Sequence, residues 1–271
     1  MRSATLVLAA HSLRRTRPIV IGMALVLGAF QFLLTQVASF LLRSGGFSLM
    51  PSLVPDFIRQ MAGPSMLSFM SFAGVVAFGY FHPIVIAAHL GLAIAIATEP
   101  AAEVETRFAD LTLARPMARH QMITRTVVVL VAAETAVLLI MMTATWTGMA
   151  CCAPADAPRP ALATIRSLAI MLGAVTLCWG GLALAAASAV RRRATASGAA
   201  AVAALAAYLL DYLGRIWDPA RLLSTLSPFH YFEPASLVTG TPPNVRHVAV
   251  LLAIGAAGTA LSYRIFSRRD L

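Results

Sequence analysis

One acidic side chain, Glu134, stands deep inside a long apolar run, from about Met122 to Cys151. A carboxylate so placed faces a bundle interior or a water path, which makes Glu134 a transport-path candidate. A hydrogen-bonded structural glutamate fits the same position. His82 and His89 lie seven residues apart, about two helical turns along one face. That is too far to share a metal ion, so both read as core histidines. Met141, Met142 and Met149 precede Cys151 and Cys152 and offer soft ligands for copper, but methionine at helical spacing more often packs a core. Cys151, Cys152 and Cys178 cannot build a disulfide framework. All 21 basic residues are arginines. A Walker A loop needs a lysine on the phosphates, and Schiff-base chemistry needs a lysine amine. Neither is available here, so any ATP that drives this polypeptide must bind another chain. No catalytic residue, metal or bound cofactor is expected.

The elements that must position these groups are legible from composition. Of 271 residues, 59% are hydrophobic and 12% charged, with a mean hydropathy of +0.80. Soluble domains run nearer ~45–50% apolar and ~25% charged. A water-soluble enzyme, a disordered tail and a collagen-like fibre are excluded. Six stretches supply the roughly 20 apolar residues a spanning helix needs: about 18–42, 64–98, 122–151, 168–190, 194–213 and 248–266. None has the short apolar–polar alternation of a membrane barrel, so the fold class expected is all-α, a single polytopic transmembrane domain over 1–271. The first run is too long for a signal-peptide core and reads as a retained span. The second, at ~1.5 Å per residue, exceeds a ~30 Å hydrocarbon layer, and Pro83 predicts a kink near His82.

The formal net charge is +10, yet the arginines gather at the ends of apolar runs. That placement suits membrane orientation better than nucleic acid, and no nucleic-acid partner is expected. With the N-terminus inside, Arg2, Arg14, Arg15, Arg17, Arg107, Arg115, Arg119, Arg125, Arg191 to Arg193, Arg264, Arg268 and Arg269 lie inside. That makes fourteen of the 21, with both termini cytoplasmic. Residues 1–17 place Leu6, Ala10 and Leu13 at helical spacing and read as an interfacial helix along the cytosolic face.

Two polar segments carry further information. Between the second and third spans, Glu99, Glu103, Glu105 and Asp110 precede Arg115, Arg119 and Arg125. On a helix starting near Pro100, acids at the N-terminus and bases at the C-terminus both suit the macrodipole. Such a helix, with Phe108, Leu111 and Leu113 as apolar anchors, can dock in a partner's groove or simply hold two spans apart. Before the last span, about 30 residues from Asp218 to His247 contain Phe229, Tyr231 and Phe232 with Pro228, Pro234 and Gly240. That reads as a re-entrant or interfacial helical pair.

These residues resemble the permease subunit of a type-2 ABC exporter (ABC-2 type), the membrane half of a bacterial ATP-driven efflux system. The family pattern after the second span, Glu-x-Gly-Thr-Leu-Glu-Leu-Leu-Leu-Ala-Arg-Pro-Val-Ser-Arg, is matched at Glu105, Asp110, Leu111, Leu113, Ala114, Arg115, Pro116 and Arg119. It departs at Arg107 and Phe108, where the family has Gly-Thr. The block from Leu226 to Gly240, "LSPFHYFEPASLVTG", and the ending "FSRRDL" are also similar to the family's. The resemblance implies a multi-pass protein of the bacterial inner (plasma) membrane, working as a pair of identical or related permeases. Each would sit on a separate ABC subunit that binds ATP and Mg. It also implies that Glu99, Glu103, Glu105, Asp110, Arg115, Pro116 and Arg119 belong to the coupling element, and that the first, second and fifth spans line the path. The rival classes are an intramembrane protease and a non-transporting membrane anchor. Phe78 and His82 have the Phe-x-x-x-His spacing of one glutamate-dependent protease family. The Glu-Glu-x-x-x-Arg block which that chemistry needs upstream is absent, since Glu103 and Glu105 are separated and lie downstream.

Overall fold

The computed structural model describes residues 3–48, 70–107, 118–238 and 241–268, and among them there is no strand. Six helices are long and apolar enough to cross a membrane. The first, α1, is Ser3–Arg43. The expected interfacial helix and first span are therefore one element, which continues through Pro18. Proline frees one carbonyl a turn back but does not oblige the chain to leave the helix when water can solvate that group.

The second span is divided. Helix α2, Phe72–Phe78, ends at Gly79, and α3, Pro83–Ala97, begins after a turn. The expected kink is thus a full break, and its cause is local. His82 precedes a proline and takes an extended conformation (φ −60°, ψ 130°). Its Nδ1 accepts the Ile84 N–H at 3.2 Å, capping α3. A helix broken inside an apolar layer needs internal partners for its freed backbone groups. Gln31 of α1 supplies one, donating to the Val76 carbonyl at 2.8 Å. The Tyr80 and Thr145 hydroxyls meet at 2.8 Å behind the break. Gly79 makes room: a Cβ there would collide with the Gln31 amide oxygen.

A short helix, α4 (Glu99–Glu105), follows the second span after the single residue Thr98. The remaining spans are α5 (His120–Cys152), α6 (Leu162–Ala189), α7 (Arg193–Ile216) and α10 (Val245–Ser267). All six spans fall where the hydropathy places them, the last four to within six residues at each end. Helices α1 and α5 run parallel, with Gly28 facing Ile140 and Gly148 facing Thr35. Helix α6 is central and the most enclosed. It packs parallel to α10, backbone on backbone, where Gly181 meets Gly255 and Gly258, an approach that only small residues permit. Helix α7 touches the bundle along the narrow stripe Ala196, Ala200 and Ala204. It exposes Val202 and Leu205 outward, as a lipid-facing surface requires. Six alternating crossings put both termini at the same end of the bundle.

At the other end, the chain after α7 folds back on it through a 3₁₀ turn, Asp218–Ala220, and α8, Arg221–Ser224. Gly214 admits Ser224 against α7. The Ser227 hydroxyl donates to the Ala207 carbonyl at 2.8 Å, about 13 Å back from the end of α7 at ~1.5 Å per residue. A second 3₁₀ turn, Pro228–Tyr231, and α9, Pro234–Val238, complete the segment. These short helical pieces folded back beside the end of α7 are where the aromatic block leads one to expect a re-entrant or interfacial helical pair.

Candidate functional site

Three polar constellations interrupt the apolar bundle. The largest surrounds α4, at the end that carries both termini. Glu99 and Pro100 open this helix, so an acid and a proline occupy the turn where each is favoured. Glu103 turns inward. Its two carboxylate oxygens accept from the Arg125 guanidinium at 2.8 and 3.0 Å, and both side chains are buried. Glu99 lies between Arg15 of α1, at 3.6 Å, and Arg193 of α7, at 3.4 Å. Glu105 accepts the Arg193 backbone N–H at 2.9 Å, capping α7. The Arg193 guanidinium in turn donates to the Ala95 carbonyl at 2.9 Å. Three carboxylates on seven residues thereby tie α4 to α1, α5 and α7 at once. Glu99, Glu103 and Glu105 come together in this cluster, and Arg119 immediately precedes α5. Asp110, Arg115 and Pro116, with the anchors Phe108, Leu111 and Leu113, lie outside the described residues.

Just past α4, Arg107 has φ +57°. This is the left-handed region, costly for a side chain with a Cβ and open to glycine. It is also one of the two positions where the resemblance breaks, the family having glycine there.

The second constellation is within the apolar layer, between α3 and α5. Glu134 Oε1 lies 2.6 Å from His89 Nδ1. His89 Nε2 lies 3.3 Å from the Met141 sulfur. Both ionisable groups are buried, and Glu134 Oε2 has no hydrogen-bond partner among the described residues. His82 is not part of this pair: it caps α3 and packs edge-on against Phe30 and Phe78.

The third is a cavity of about 720 Å³ at the opposite end, between α7, the broken second span and the re-entrant segment. Phe81, Tyr208, Phe229, Asp211, Arg215 and Glu233 are among its lining residues. Phe229 is wedged between Trp179, at 5.8 Å, and Tyr208, at 5.4 Å. Asp211, buried near the end of α7, holds Arg215 one turn on at 2.8 Å.

Asp211 and Gln31 were not singled out by the sequence, and Arg125 was named only as one base of the charged segment. Arg125 reads as one of a row of surface arginines, although its place inside the apolar stretch of α5 signals burial. For Asp211 the signal is Arg215 four residues later. Nothing local marks Gln31, whose acceptor is 45 residues away. Cys151, Cys152 and Cys178 are free thiols, and Arg43 reaches the Cys152 carbonyl at 2.8 Å. No protein-family model, curated protein or solved structure matches this chain.

Proposed function

We propose that this chain is the membrane-spanning permease subunit of an ATP-driven ABC exporter of the bacterial plasma membrane, with ATP and Mg bound by a separate partner subunit. The observation that carries this reading is α4. A short charged helix at the end of the second span is bonded to three other spans through Glu99, Glu103 and Glu105. A push on such a helix moves α1, α5 and α7 together. Glu103 and Arg125 form the stiffest link, a bidentate pair whose geometry allows little slip.

In this mechanism, closure of the ATP-binding subunits presses on the segment from Glu99 to Arg119, on the cytoplasmic side with both termini. The spans then re-pack between two states that differ in their contacts with the partner. The cavity between the second and fifth spans gives substrate a place at the far end. A second permease, identical or related, would complete the path at the midline. A lysine-free sequence supports the division of labour.

Co-expression with ABC ATP-binding subunits from the same genome tests the assignment. This chain and one of them are expected to co-purify, and ATP hydrolysis to rise on assembly in proteoliposomes. Reversing charge at Arg115 and Arg119 together is expected to abolish that stimulation while leaving membrane insertion intact. Solute pumping or peptide cleavage by the purified chain alone would overturn the proposal.

A further inference from the structure

Where α1 and α5 pack near the end that carries both termini, they do not close. Gly28 meets Ile140 and Gly148 meets Thr35 at contact distance farther along. Here α5 instead presents Ala132, Ala133 and Ala136, side chains too short to fill the space between two helices. A groove of about 220 Å³ remains, walled by Leu13, Val20, Ile21 and these alanines, with Arg14 and Arg17 at its rim. The two arginines are one turn apart on α1, exposed, and make no ion pair or hydrogen bond among the described residues. Arg15, between them, turns the other way to Glu99.

We infer that this groove seats one anionic phospholipid, its phosphate on Arg14 and Arg17 and part of an acyl chain against Val20, Ile21, Ala132 and Ala136. Access decides the occupant. Ile21 in its wall is 43% exposed, and Ile19 and Leu25 of the same helix are more so, so whatever enters comes from the bilayer. An apolar slot in that setting is filled by hydrocarbon. The planar fork of a guanidinium suits a phosphate, and paired cations just outside the apolar layer favour a net negative headgroup over a zwitterionic one. The inference does not depend on the exporter reading, because it needs only the α1–α5 packing and a membrane.

Reconstitution in nanodiscs holding equal phosphatidylglycerol and phosphatidylcholine tests it, with retained lipid counted by native mass spectrometry. The unmodified protein is expected to favour phosphatidylglycerol by about tenfold or more. R14Q/R17Q is expected to bring the two lipids near equality, and R14K/R17K to keep most of the preference. Because Arg14 and Arg17 are exposed and make no ion pair or hydrogen bond among the described residues, R14Q/R17Q is expected to fold normally, so it decides the question alone should groove-filling A132L/A136L fail to fold. When A132L/A136L does fold, it is expected to lose the retained lipid. Equal retention by the unmodified protein, an unchanged preference in R14Q/R17Q, or full retention in a folded A132L/A136L would each overturn the proposal.

Discussion

Two buried glutamates sit on partners of different kinds. Glu103 faces a guanidinium through two parallel bonds, at 2.8 and 3.0 Å. Glu134 faces an imidazole through one contact at 2.6 Å, leaving its second oxygen without a partner among the described residues. Two parallel bonds fix both the distance and the angle between the groups, so the Glu103 pair acts as a strut between α4 and α5. The Glu134 contact is a single one, so the two side chains can pivot about it and it fixes α3 against α5 less firmly. One is built to transmit position, whereas the other leaves a singly held carboxylate inside the apolar layer. Burial alone does not distinguish these roles; the number of bonds and the partner's chemistry do.

The strut should be the more damaging to break. Glu103→Gln leaves Arg125 charged, buried and short of an acceptor, and removing one member of such a pair costs about 3–5 kcal/mol. Thermal unfolding of the purified protein is expected to show that loss, with ATPase stimulation by the assembled complex falling in parallel. The exchange E103R/R125E, which restores opposite charges, should recover part of both. Glu134→Gln should cost less, no more than about 1–3 kcal/mol, because the amide oxygen can still accept from His89 and only the second, already unpartnered, position changes. Its informative readout is transport. Unchanged export in E134Q would make Glu134 a structural group; loss of export with stability retained would place it on the path.

How far these sites could be read beforehand follows from the range of the forces involved. The six spans are set by hydropathy summed over ~20 residues, a signal that no tertiary contact can erase. The break at His82 was visible because Pro83 acts on its immediate neighbours. It was underestimated as a kink because the Gln31 amide that makes a full break tolerable sits on another helix. Residues 1–17 were separated from the first span because their arginines end the apolar run, yet a helix needs no apolar run to continue. Glu134 was conspicuous as an acid among apolar residues, whereas its pairing with His89 depends on how two spans face each other. The pairing of Glu103 with Arg125 depends in the same way on how α4 meets α5. Charge pattern shows that a segment is polar without telling whether its charges meet a partner protein or its own bundle.

Weaker effects should sharpen the contrast. Glu99 bridges Arg15 and Arg193 at 3.6 and 3.4 Å, with Arg15 61% exposed. Glu99→Gln is therefore expected to cost at most about 1 kcal/mol, and less at high salt. A loss approaching that of E103Q would mean that α4 hangs on the whole cluster and not on the single strut.

The smallest change should go the other way. Arg107 is held at φ +57°, with its N–H donating to the Val104 carbonyl at 3.2 Å. That conformation costs a residue with a Cβ about 1–2 kcal/mol. Glycine removes the cost and adds back roughly 0.5–1 kcal/mol of unfolded-chain freedom. The net for Arg107→Gly is a gain of up to about 1.5 kcal/mol. The exposed Arg107 side chain has no part in the Glu103 strut, so the gain should appear as slower amide exchange across Glu99–Thr106 with no change around Glu134. A loss instead would mean that the arginine side chain itself holds the turn. The glycine of the family pattern would then be replaced here by a contact, and the strut would depend on a residue outside α4.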